Sequence, residues 1–521
     1  MFGRLLIANR GEIAIRIARA AADLGIVSVA VHTADDSDAP HVAAADEVVA
    51  LHGTGVPGYL DIDDVLHAAD RAQADAIHPG YGFLSENPRF AEACAARGIR
   101  LVGPPPEILT AFGDKVRARE LAEAAGLPVL ASAAPDGAAT MLAETGAVVV
   151  KAVAGGGGRG MRRVTDATQL AGALARCASE ARSAFGDDRV YVEELLAPAR
   201  HIEVQLLGDG TGAVTHLGER DCSVQRRHQK LVEIAPAPGL DPAVRERLLA
   251  AAVRLGESVR YAGLGTVEFL VSGKRIAFIE VNPRLQVEHT VTEEVTGVDL
   301  VQAQIRLAAG FTLADIGLAQ DEVAPPRGAA LQARIALERT GPDGSTTPTG
   351  GTLTAFDLPS GRGIRVDAAG YTGYHTNPRY DSLIAKVIAH GPDHHAATRR
   401  ASRALSEVRI NGVETNIDVL DGIIRHPDFA AGALTTDFLD QHLTEVLTAV
   451  RPRRHATDRG PVQALPEAQQ VDQELPGEAV RATIPGTVVS VEAAEGQTVR
   501  AGQTLVVIEA MKMEHVVAAA A

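Results

Sequence analysis

The sequence predicts an α/β and α+β protein with a doubly wound parallel-sheet domain at its N-terminus and an all-β segment at its C-terminus. Apolar strand patterns alternate with amphipathic helix patterns from residue 4 onward, which is typical of a parallel sheet covered by helices. Two β-rich runs at 266–271 and 276–282 flank a polar turn and predict an antiparallel hairpin. Short strand patterns separated by regular turns follow residue 480.

The length of 521 residues predicts three or four domains, at roughly 150 residues each. We expect boundaries at 1–113 for the N-terminal α/β domain and 114–447 for a larger mixed region, in which about 129–195 form a small separate unit. Proline steps and polar residues predict a flexible linker at 448–478. Residues 479–521 then form the all-β segment.

The composition excludes several classes of protein. A net charge of −16 argues against nucleic acid as a partner. The three cysteines, Cys94, Cys177 and Cys222, are too widely spaced for a disulfide framework or a metal pattern. The first residues lead straight into a strand rather than a signal peptide, and no run of 18 apolar residues exists. We therefore expect a cytoplasmic protein with no membrane contact.

The hairpin predicts a metal site. If it is centred on Lys274, Glu268 and Glu280 lie directly opposite one another, and Asn282 shares their face. Facing carboxylates repel unless a cation lies between them, and two carboxylates with an amide suit Mg²⁺ (or Mn²⁺). Two acids on a solvated sheet face are the plainer interpretation. The polar loop that follows, with Arg284, Gln286 and Glu288, favours the metal site.

Two glycine-rich stretches have different meanings. Residues 53–58 match the GxGxxG pattern but contain a proline and lack a ribose-binding acid, so we do not interpret them as a dinucleotide site. Residues 155–158 are four glycines between two strand patterns, with Lys151 just before them. Backbone N–H groups of such a turn, Gly156 and Gly157 among them, can close over phosphates as a mobile lid. A floppy linker is the alternative.

Further polar segments predict ligand contacts. Residues 78–87, HPGYGFLSEN, form a structured loop in which Tyr81 and Glu86 are candidates, although Tyr81 can equally serve packing. Residues 193–196 are suited to the edge of an adenine pocket, and His201 on the next strand is either a ligand or a core histidine. Residues 217–239 concentrate arginine, lysine and histidine near acids, which indicates binding of phosphate or bicarbonate.

The order of these motifs resembles the biotin carboxylase branch of the ATP-grasp enzymes. The segments HPGYGFLSEN, KAVAGGGGRGM, ERDCSVQRRHQK and EVNPRLQVEHTVTE carry the resemblance, which extends from residue 1 to about 447. It implies an ATP-grasp fold whose lid is the 129–195 unit. It also implies an ATP-dependent ligase that forms a C–N bond on biotin.

The resemblance implies an expected role for each of several residues. ATP is expected to contact Lys115, Lys151, Glu193, His201, Gln225 and His228. Magnesium is expected on Glu268, Glu280 and Asn282. Bicarbonate is expected among Lys230, Arg284, Gln286, Val287 and Glu288. Arg334 matches the biotin-side arginine, although its segment LQARIALE departs from the usual pattern around the Arg-Ile pair.

These residue types suit the implied chemistry. ATP activates bicarbonate as carboxyphosphate, and Glu288 can take the bicarbonate proton while Arg284 holds the anion. Lysines and Mg²⁺ neutralise the transferring phosphoryl group. Carboxyphosphate yields CO₂, and Arg334 is the natural cation to stabilise the enolate-like oxygen of deprotonated biotin.

The C-terminal segment resembles a biotinyl carrier domain. The motif EAMKME places Lys512 between two methionines at a hairpin tip, where biotin would be attached. Only nine residues follow Lys512, whereas the barrel of the family has this lysine near its middle. We therefore expect a truncated barrel-sandwich and a longer natural chain, or completion by another segment.

The sequence thus predicts the first half-reaction of an acyl-CoA carboxylase (acetyl- or propionyl-CoA), the biotin carboxylase step that serves fatty acid metabolism. The alternative is the same step of another carboxylase, of pyruvate or urea type, or of a longer fused chain. Two other classes are a different ATP-grasp ligase and a non-catalytic carrier; AMKM and the intact acids argue against them. Expected partners are a separate carboxyltransferase, a biotin protein ligase and further copies in a homodimer or larger assembly.

Overall fold

The structure, a computed structural model, describes residues 1–153, 160–449, 480, 482, 487–510 and 513–519. The N-terminal elements are β1 Arg4–Ile7, α1 Gly11–Asp23, β2 Val27–His32, α2 Pro40–Ala44, β3 Glu47–Ala50, α3 Gly55–Leu60, α4 Ile62–Ala72, β4 Ala76–His78, α5 Pro88–Ala96, β5 Arg100–Leu101 and α6 Pro106–Gly113. The strands pair in parallel in the order β3-β2-β1-β4-β5, which confirms the doubly wound sheet.

The direction of this sheet places polar residues at one edge. Because parallel strands end on the same side, the segments after β1 and β4 meet where the strand order reverses. Asn9 follows β1 and donates to the carbonyls of Pro79 and Tyr81 after β4, at 2.7 and 2.8 Å. The loop at 78–87 is therefore structured, as predicted. The 53–58 stretch includes the start of a helix, because Pro57 lies in the first turn of α3.

A smaller antiparallel sheet follows. Its elements are α7 Lys115–Ala124, β6 Ser132–Ala133, α8 Ala138–Thr145, β7 Val148–Ala152, β8 Met161–Val164, α9 Ala167–Phe185 and β9 Val190–Glu194, and the strand order is β6-β9-β7-β8. Lys151 pairs with Met161, and the Ala152 N–H donates to the Gly160 carbonyl at 2.9 Å. The glycine-rich stretch therefore joins two strands, as the sequence predicts. Gly156 and Gly157 lie outside the described residues.

An eight-stranded sheet forms the centre of the protein. Its region contains β10 Arg200–Asp209, β11 Val214–Arg226, β12 Gln229–Ala235, α10 Pro242–Ser258, β13 Ala262–Ser272, β14 Arg275–Asn282, α11 His289–Thr296, α12 Leu300–Ala308, β15 Ala329–Ala336, β16 Glu338–Thr340, β17 Thr346–Pro348, β18 Ala355–Asp357, β19 Ile364–Ala368 and β20 Leu383–Gly391. The order is β14-β13-β10-β11-β12-β15-β20-β19, and all of its pairs are antiparallel.

Helices cover one face of that sheet. They are α13 His394–Glu407, α14 Ile417–Arg425, α15 Pro427–Ala431 and α16 Phe438–Thr448, with the short strand β21 Arg409–Asn411 between the first two. The helix α15 begins at Pro427 directly after α14, with His426 as its N-cap. Leu405 and Ile423 are buried against Leu331 and Ile335 of β15, and each such side chain contributes about 1.5–3 kcal/mol on burial.

The C-terminal segment is a three-stranded antiparallel sheet. Its strands are β22 Thr487–Val491, β23 Thr504–Ala510 and β24 Met513–Ala518, paired in that order. Ala510 pairs with Met513, so the β23–β24 connection consists of the two positions between them. Lys512 is one of these and lies outside the described residues.

Candidate active site

The β13–β14 hairpin places Glu268 directly opposite Glu280, as the sequence predicted. The reason differs from the one expected. Ser272 pairs with Arg275, so the turn is centred between Gly273 and Lys274 rather than on Lys274. A β-bulge then shifts the register between Glu268 and Phe269 by one residue, and this shift restores the pairing of the two glutamates.

The two carboxylates belong to a row of charged residues that crosses four neighbouring strands. Glu203 of β10 pairs in register with Glu268 on one side and with Arg220 of β11 on the other. The row therefore runs Arg220, Glu203, Glu268, Glu280. Glu203 and Arg220 are fully buried, and their side chains form an ion pair. A charge this far from water is stable only when it is paired and hydrogen-bonded.

Lys230 joins three carboxylates at the middle of the site. Its Nζ atom lies 2.6 Å from Glu203, 3.0 Å from Glu268 and 2.6 Å from Glu288. Burial by itself would lower the pKa of Lys230, but the three carboxylates outweigh that effect and raise the pKa well above its usual value. Lys230 is therefore a permanent cation in this arrangement.

Glu288 is held by cations on both of its oxygens. Lys230 contacts Oε1, and the Arg334 guanidinium donates to Oε2 at 2.9 Å. Burial would raise the pKa of Glu288, but Lys230, Arg334 and Arg220 together lower it well below the usual range. Arg334 is held in turn by the buried carboxylate of Glu233.

Arg284 lies at the edge of the same cluster. Its Nε atom is 2.9 Å from Glu86, and its Nη2 donates to the Asn282 Oδ1 at 3.0 Å. The Asn282 amide nitrogen donates to Glu268 at 2.9 Å, and that of Gln286 donates to Glu268 at 3.1 Å. The amide of Asn282 thus links the predicted metal carboxylate to the predicted bicarbonate arginine.

A second group of polar residues lies toward the smaller sheet. His201 is 2.8 Å from Glu268 through Nε2, while its Nδ1 lies 3.4 Å from the Gln225 amide. Burial would lower the pKa of His201, but Glu268 raises it above its usual value. Lys115, at the first position of α7, is 3.5 Å from Glu280.

Lys151 and Glu193 form their own ion pair across β7 and β9. The pKa of the His228 imidazole is lowered. The main cause is its burial away from water, and the positive charges of Lys151 and His201 add to the effect. His228 sits in the turn between β11 and β12 with φ of +66°. The predicted ATP residues thus include several cations near one another, which suits a polyphosphate.

Tyr81 approaches the site from the N-terminal domain. Its hydroxyl bonds to the buried carboxylate of Glu12 in α1, and Glu12 also pairs with Lys386 at 2.9 Å. Lys386 donates to the Val287 carbonyl at 3.2 Å. The structure therefore brings together, within the residues it describes, the candidates of the hairpin, the following turn, β10–β12 and β15, and Tyr81 is linked to them through Glu12 and Lys386.

Four charged residues of the cluster were not singled out individually from the sequence: Glu203, Arg220, Glu233 and Lys386. Glu203 lies between apolar residues in the buried strand β10 and shares its face with His201. A single carboxylate in a buried strand is a signal for a buried cation partner, and the same pattern holds for Glu233 in β12. Arg220 was included only in the basic segment as a whole.

The residues present fit a magnesium ion. Glu268 and Glu280 face each other on neighbouring strands, and the amide oxygen of Asn282 is on the same face. Glu280 has a single described cation partner, Lys115, at a distance longer than a hydrogen bond. Two carboxylates and an amide oxygen match the ligands Mg²⁺ prefers.

Comparisons with known proteins agree with this geometry. Four family profiles match: biotin carboxylase N-terminal domain at 1–109, carbamoyl-phosphate synthase L chain ATP-binding domain at 114–316, biotin carboxylase C-terminal domain at 332–441 and biotin-requiring enzyme at 476–521. A pyruvate carboxylase subunit of Methanothermobacter thermautotrophicus is 46% identical over 454 residues, which are 85% of this chain and 90% of that protein. The chain belongs to the biotin carboxylase family.

Other relatives of this biotin carboxylase are longer. Mitochondrial pyruvate carboxylase of Homo sapiens is 48% identical over 453 residues, which are 84% of this chain and 38% of the relative. The chain thus spans about two fifths of the first curated relatives it matches. A biotin carboxylase is an ATP-dependent ligase, so this chain is one as well. The cofactors of the chain are biotin, ATP and Mg²⁺.

Two solved structures are informative. The biotin carboxylase domain dimer of Hydrogenobacter thermophilus 2-oxoglutarate carboxylase, in complex with MgADP, ADP and bicarbonate, has a TM-score of 0.82 at 41% identity and covers 86% of this chain and 99% of that one. A single-chain, multi-domain long-chain acyl-CoA carboxylase has a TM-score of 0.77 at 45% identity and covers 100% of this chain and 48% of that one.

Among the residues that the structure describes, no helix is long and apolar enough to cross a membrane.

Proposed function

We propose that this biotin carboxylase carboxylates biotin carried on Lys512, using ATP and bicarbonate through carboxyphosphate, as the first half-reaction of a pyruvate-type carboxylase. The observation that carries the proposal is the Lys230–Glu288–Arg334 cluster beside the Glu268–Glu280 pair. It combines a phosphate-neutralising region, an anion site and a buried carboxylate within one network of contacting side chains. Biotin supplies the ring nitrogen that receives the carboxyl group.

The nucleotide end is assigned by charge. Lys115 and Lys151 face the phosphates as cations, His228 faces them as a neutral hydrogen-bonding ring, and Glu193, His201 and Gln225 line the nucleotide beside them. Glu268, Glu280 and Asn282 hold Mg²⁺, which neutralises phosphate oxygens when bound. The turn that contains Gly156 and Gly157 closes over the nucleotide. Lys151 is held by its ion pair with Glu193 on the neighbouring strand.

The bicarbonate end is assigned by hydrogen bonding. Arg284 holds bicarbonate with its planar fork, with Gln286 and the Val287 backbone beside it, and Lys230 neutralises the transferring group. Glu288 takes the bicarbonate proton at a carboxylate oxygen. Its pKa is depressed while Lys230 and Arg334 both contact it, so bicarbonate must draw at least one of these cations away before Glu288 becomes an effective base. Arg334 and Tyr81 face the biotin side.

The acceptor favoured by the comparisons differs from the main prediction. Acetyl- or propionyl-CoA was expected from the sequence, with pyruvate as the alternative. The first curated relatives are pyruvate carboxylases, so the alternative is better supported, and the chain's link to acyl-CoA carboxylation and fatty acid metabolism lacks that support. An acyl-CoA acceptor stays a second candidate because the long-chain acyl-CoA carboxylase structure covers the whole chain.

The proposal also includes partners. A carboxyltransferase, as a domain or a separate protein, takes the carboxyl group from biotin, and a biotin protein ligase modifies Lys512. The Hydrogenobacter domain was solved as a dimer, which supports a homodimer for this chain.

Bicarbonate-dependent ATP hydrolysis, stimulated by free biotin, tests the proposed reaction. We expect the wild type to show it and Glu288→Ala to lose it while nucleotide affinity is unchanged. Loss of nucleotide affinity together with turnover would make Glu288 a structural residue. For the acceptor, the biotinylated chain is charged from labelled bicarbonate and mixed with its carboxyltransferase and pyruvate or an acyl-CoA. Label in the acyl-CoA alone would overturn the pyruvate proposal.

A further inference from the structure

Lys386 is a fully buried cation that has no part in the function proposed above. It lies in β20 and its Nζ atom contacts three groups: the Glu12 carboxylate at 2.9 Å, the Asp367 carboxylate at 3.7 Å and the Val287 carbonyl at 3.2 Å. Burying an ammonium group costs free energy that only close partners offset. Glu12 and Asp367 meet that need, so the contact with a backbone carbonyl requires a separate explanation.

The carbonyl belongs to the turn that positions Glu288. Within this turn, the Gln286 carbonyl accepts from the His289 backbone N–H at 3.2 Å and contacts its Nδ1 at 2.8 Å. The Val287 carbonyl accepts from Lys386. Lys386 therefore holds the peptide group immediately before Glu288, while Lys230 and Arg334 hold its carboxylate.

The same lysine is adjacent to two other candidate residues. In the β15–β20 pair, Arg334 lies directly opposite Lys386, so a shift of one backbone moves the other. Glu12, the main ion-pair partner of Lys386, also binds the Tyr81 hydroxyl. Lys386 thus connects the turn of Glu288, the strand of Arg334 and the loop of Tyr81, which come from three distant parts of the chain.

We propose that Lys386 is a positioning residue that sets the bicarbonate and biotin end of the site by holding the Val287 carbonyl and Glu12. The inference rests on the proposed function, because it assumes that Glu288, Arg334 and Tyr81 act on bicarbonate and biotin. Small displacements of such groups have large consequences, since about 1 Å can reduce a rate by about 100-fold. A purely structural role would instead be confined to neutralising Glu12.

The experiment separates these roles by removing both charges of the pair. Lys386→Met alone leaves Glu12 buried without its main cation, and we expect a lowered unfolding midpoint. Lys386→Met combined with Glu12→Gln removes both charges and keeps an acceptor for Tyr81, while Asp367 keeps Arg365 at 2.9 Å. We expect this double variant to regain most of the unfolding midpoint.

Activity of the double variant is the decisive measurement. We expect kcat of bicarbonate-dependent ATP hydrolysis to fall by roughly 10- to 100-fold, with KM for bicarbonate raised, while KM for ATP stays within about twofold of the wild type. Lys386→Gln on the same Glu12→Gln background restores a neutral N–H donor and should recover part of the lost kcat.

A matched control removes another cation from a buried carboxylate outside the site. Arg245→Met leaves Glu219, a 2.7 Å partner, without its arginine, and should lower the midpoint but not the kcat of the folded protein. A stable Lys386→Met/Glu12→Gln variant with wild-type kcat would overturn the positioning role, as would failure of both double variants to fold. A wild type without bicarbonate-dependent ATP hydrolysis would overturn the proposed function itself, and the positioning role with it.

Discussion

At the residue scale, the chemistry of the site depends on which charge touches which carboxylate. Glu268 and Glu288 are both buried glutamates whose neighbours lower their pKa in spite of burial. Glu280 is different, because its side chain is one quarter exposed and lies near Lys115 alone among the described cations. The three carboxylates of the cleft are therefore prepared for different tasks, two inside a cation network and one open to an incoming ion.

Glu280→Gln tests the metal assignment. Because the substitution preserves shape at a partly exposed site, we expect the fold to be intact. ATP turnover should fall by on the order of 100-fold, as when one electrostatic contact to a transferring group is removed, and more Mg²⁺ should be needed. The measurement is a Mg²⁺ titration of ATP hydrolysis. Glu407→Gln, which removes a helix-surface partner of Arg403, is the control and should leave the Mg²⁺ titration of ATP hydrolysis unchanged. Full activity of Glu280→Gln at ordinary Mg²⁺ would contradict the assignment.

Glu288 also predicts a pH dependence of stability. Its pKa in the folded protein is below the value of about 4.3 for an unfolded chain. Its ionised form therefore stabilises the fold fully above that pH, and the contribution is lost as the pH falls toward the folded-state pKa. We expect the stability difference between wild type and Glu288→Gln to be constant from pH 7 to about 5 and to shrink below about pH 4.3. Denaturant unfolding of both proteins measures this stability difference. A difference that widens as the pH falls would contradict the prediction.

At the element scale, the β-bulge and the small sheet matter most. The bulge in the β13–β14 hairpin sets the register of the two glutamates, so the geometry of the candidate metal site depends on a local irregularity of the backbone. The four-stranded sheet with α8 and α9 has its own apolar core, which includes Val148, Val150 and Leu170. A unit with its own core can move as a body relative to the main sheet.

Hydrogen exchange tests whether this unit acts as a lid. We expect amides at 153–160 to become more protected when a non-hydrolysable ATP analogue binds, because backbone N–H groups of the glycine turn then contact phosphates. Amides of α13, which packs on β15 and β20 of the main sheet, provide the internal control and should not change. Equal protection of the turn with and without the analogue would rule out the lid.

At the scale of the whole molecule, the site is assembled from segments far apart in sequence. Glu12 and Tyr81 come from the parallel-sheet domain, Lys230 and Glu288 from the central sheet and its following turn, and Lys386 from a strand near its other edge. The sequence predicts a linker of about 30 residues before the carrier sheet, and a flexible coil of that length would span roughly 30 Å. That reach suits delivery of one attached group to the site and then to a partner.

Lys512→Arg tests the carrier assignment. When the protein is co-expressed with a biotin ligase, we expect intact mass to show biotin on the wild type and none on the variant, because arginine offers no acylable amine. ATP hydrolysis stimulated by free biotin should be the same in both, since the carboxylase site is unaltered. Biotin on Lys512→Arg would place the attachment point elsewhere.

Much of the fold could be predicted from local patterns. The alternation of strands and helices predicted the parallel sheet, and the strands on both sides of the glycine run predicted a turn between strands. The pairing of Glu268 with Glu280 was also predicted, but through a hairpin centre that the bulge corrects. Periodicity reports which residues share a face, whereas a one-residue irregularity leaves no periodic signal.

The sequence by itself determined the family, the candidate residues of the cleft and the order of the domains, because these depend on motifs whose residues are close in the chain. Only the tertiary structure decided that Glu203 and Arg220 pair beneath the cleft, that Glu233 holds Arg334 and that Lys386 supports Val287. The last two contacts each join residues about 100 positions apart, across strands whose order is not the chain order. Buried charges require partners, but sequence shows only that a partner is needed; the packing of the sheet determines which one it is.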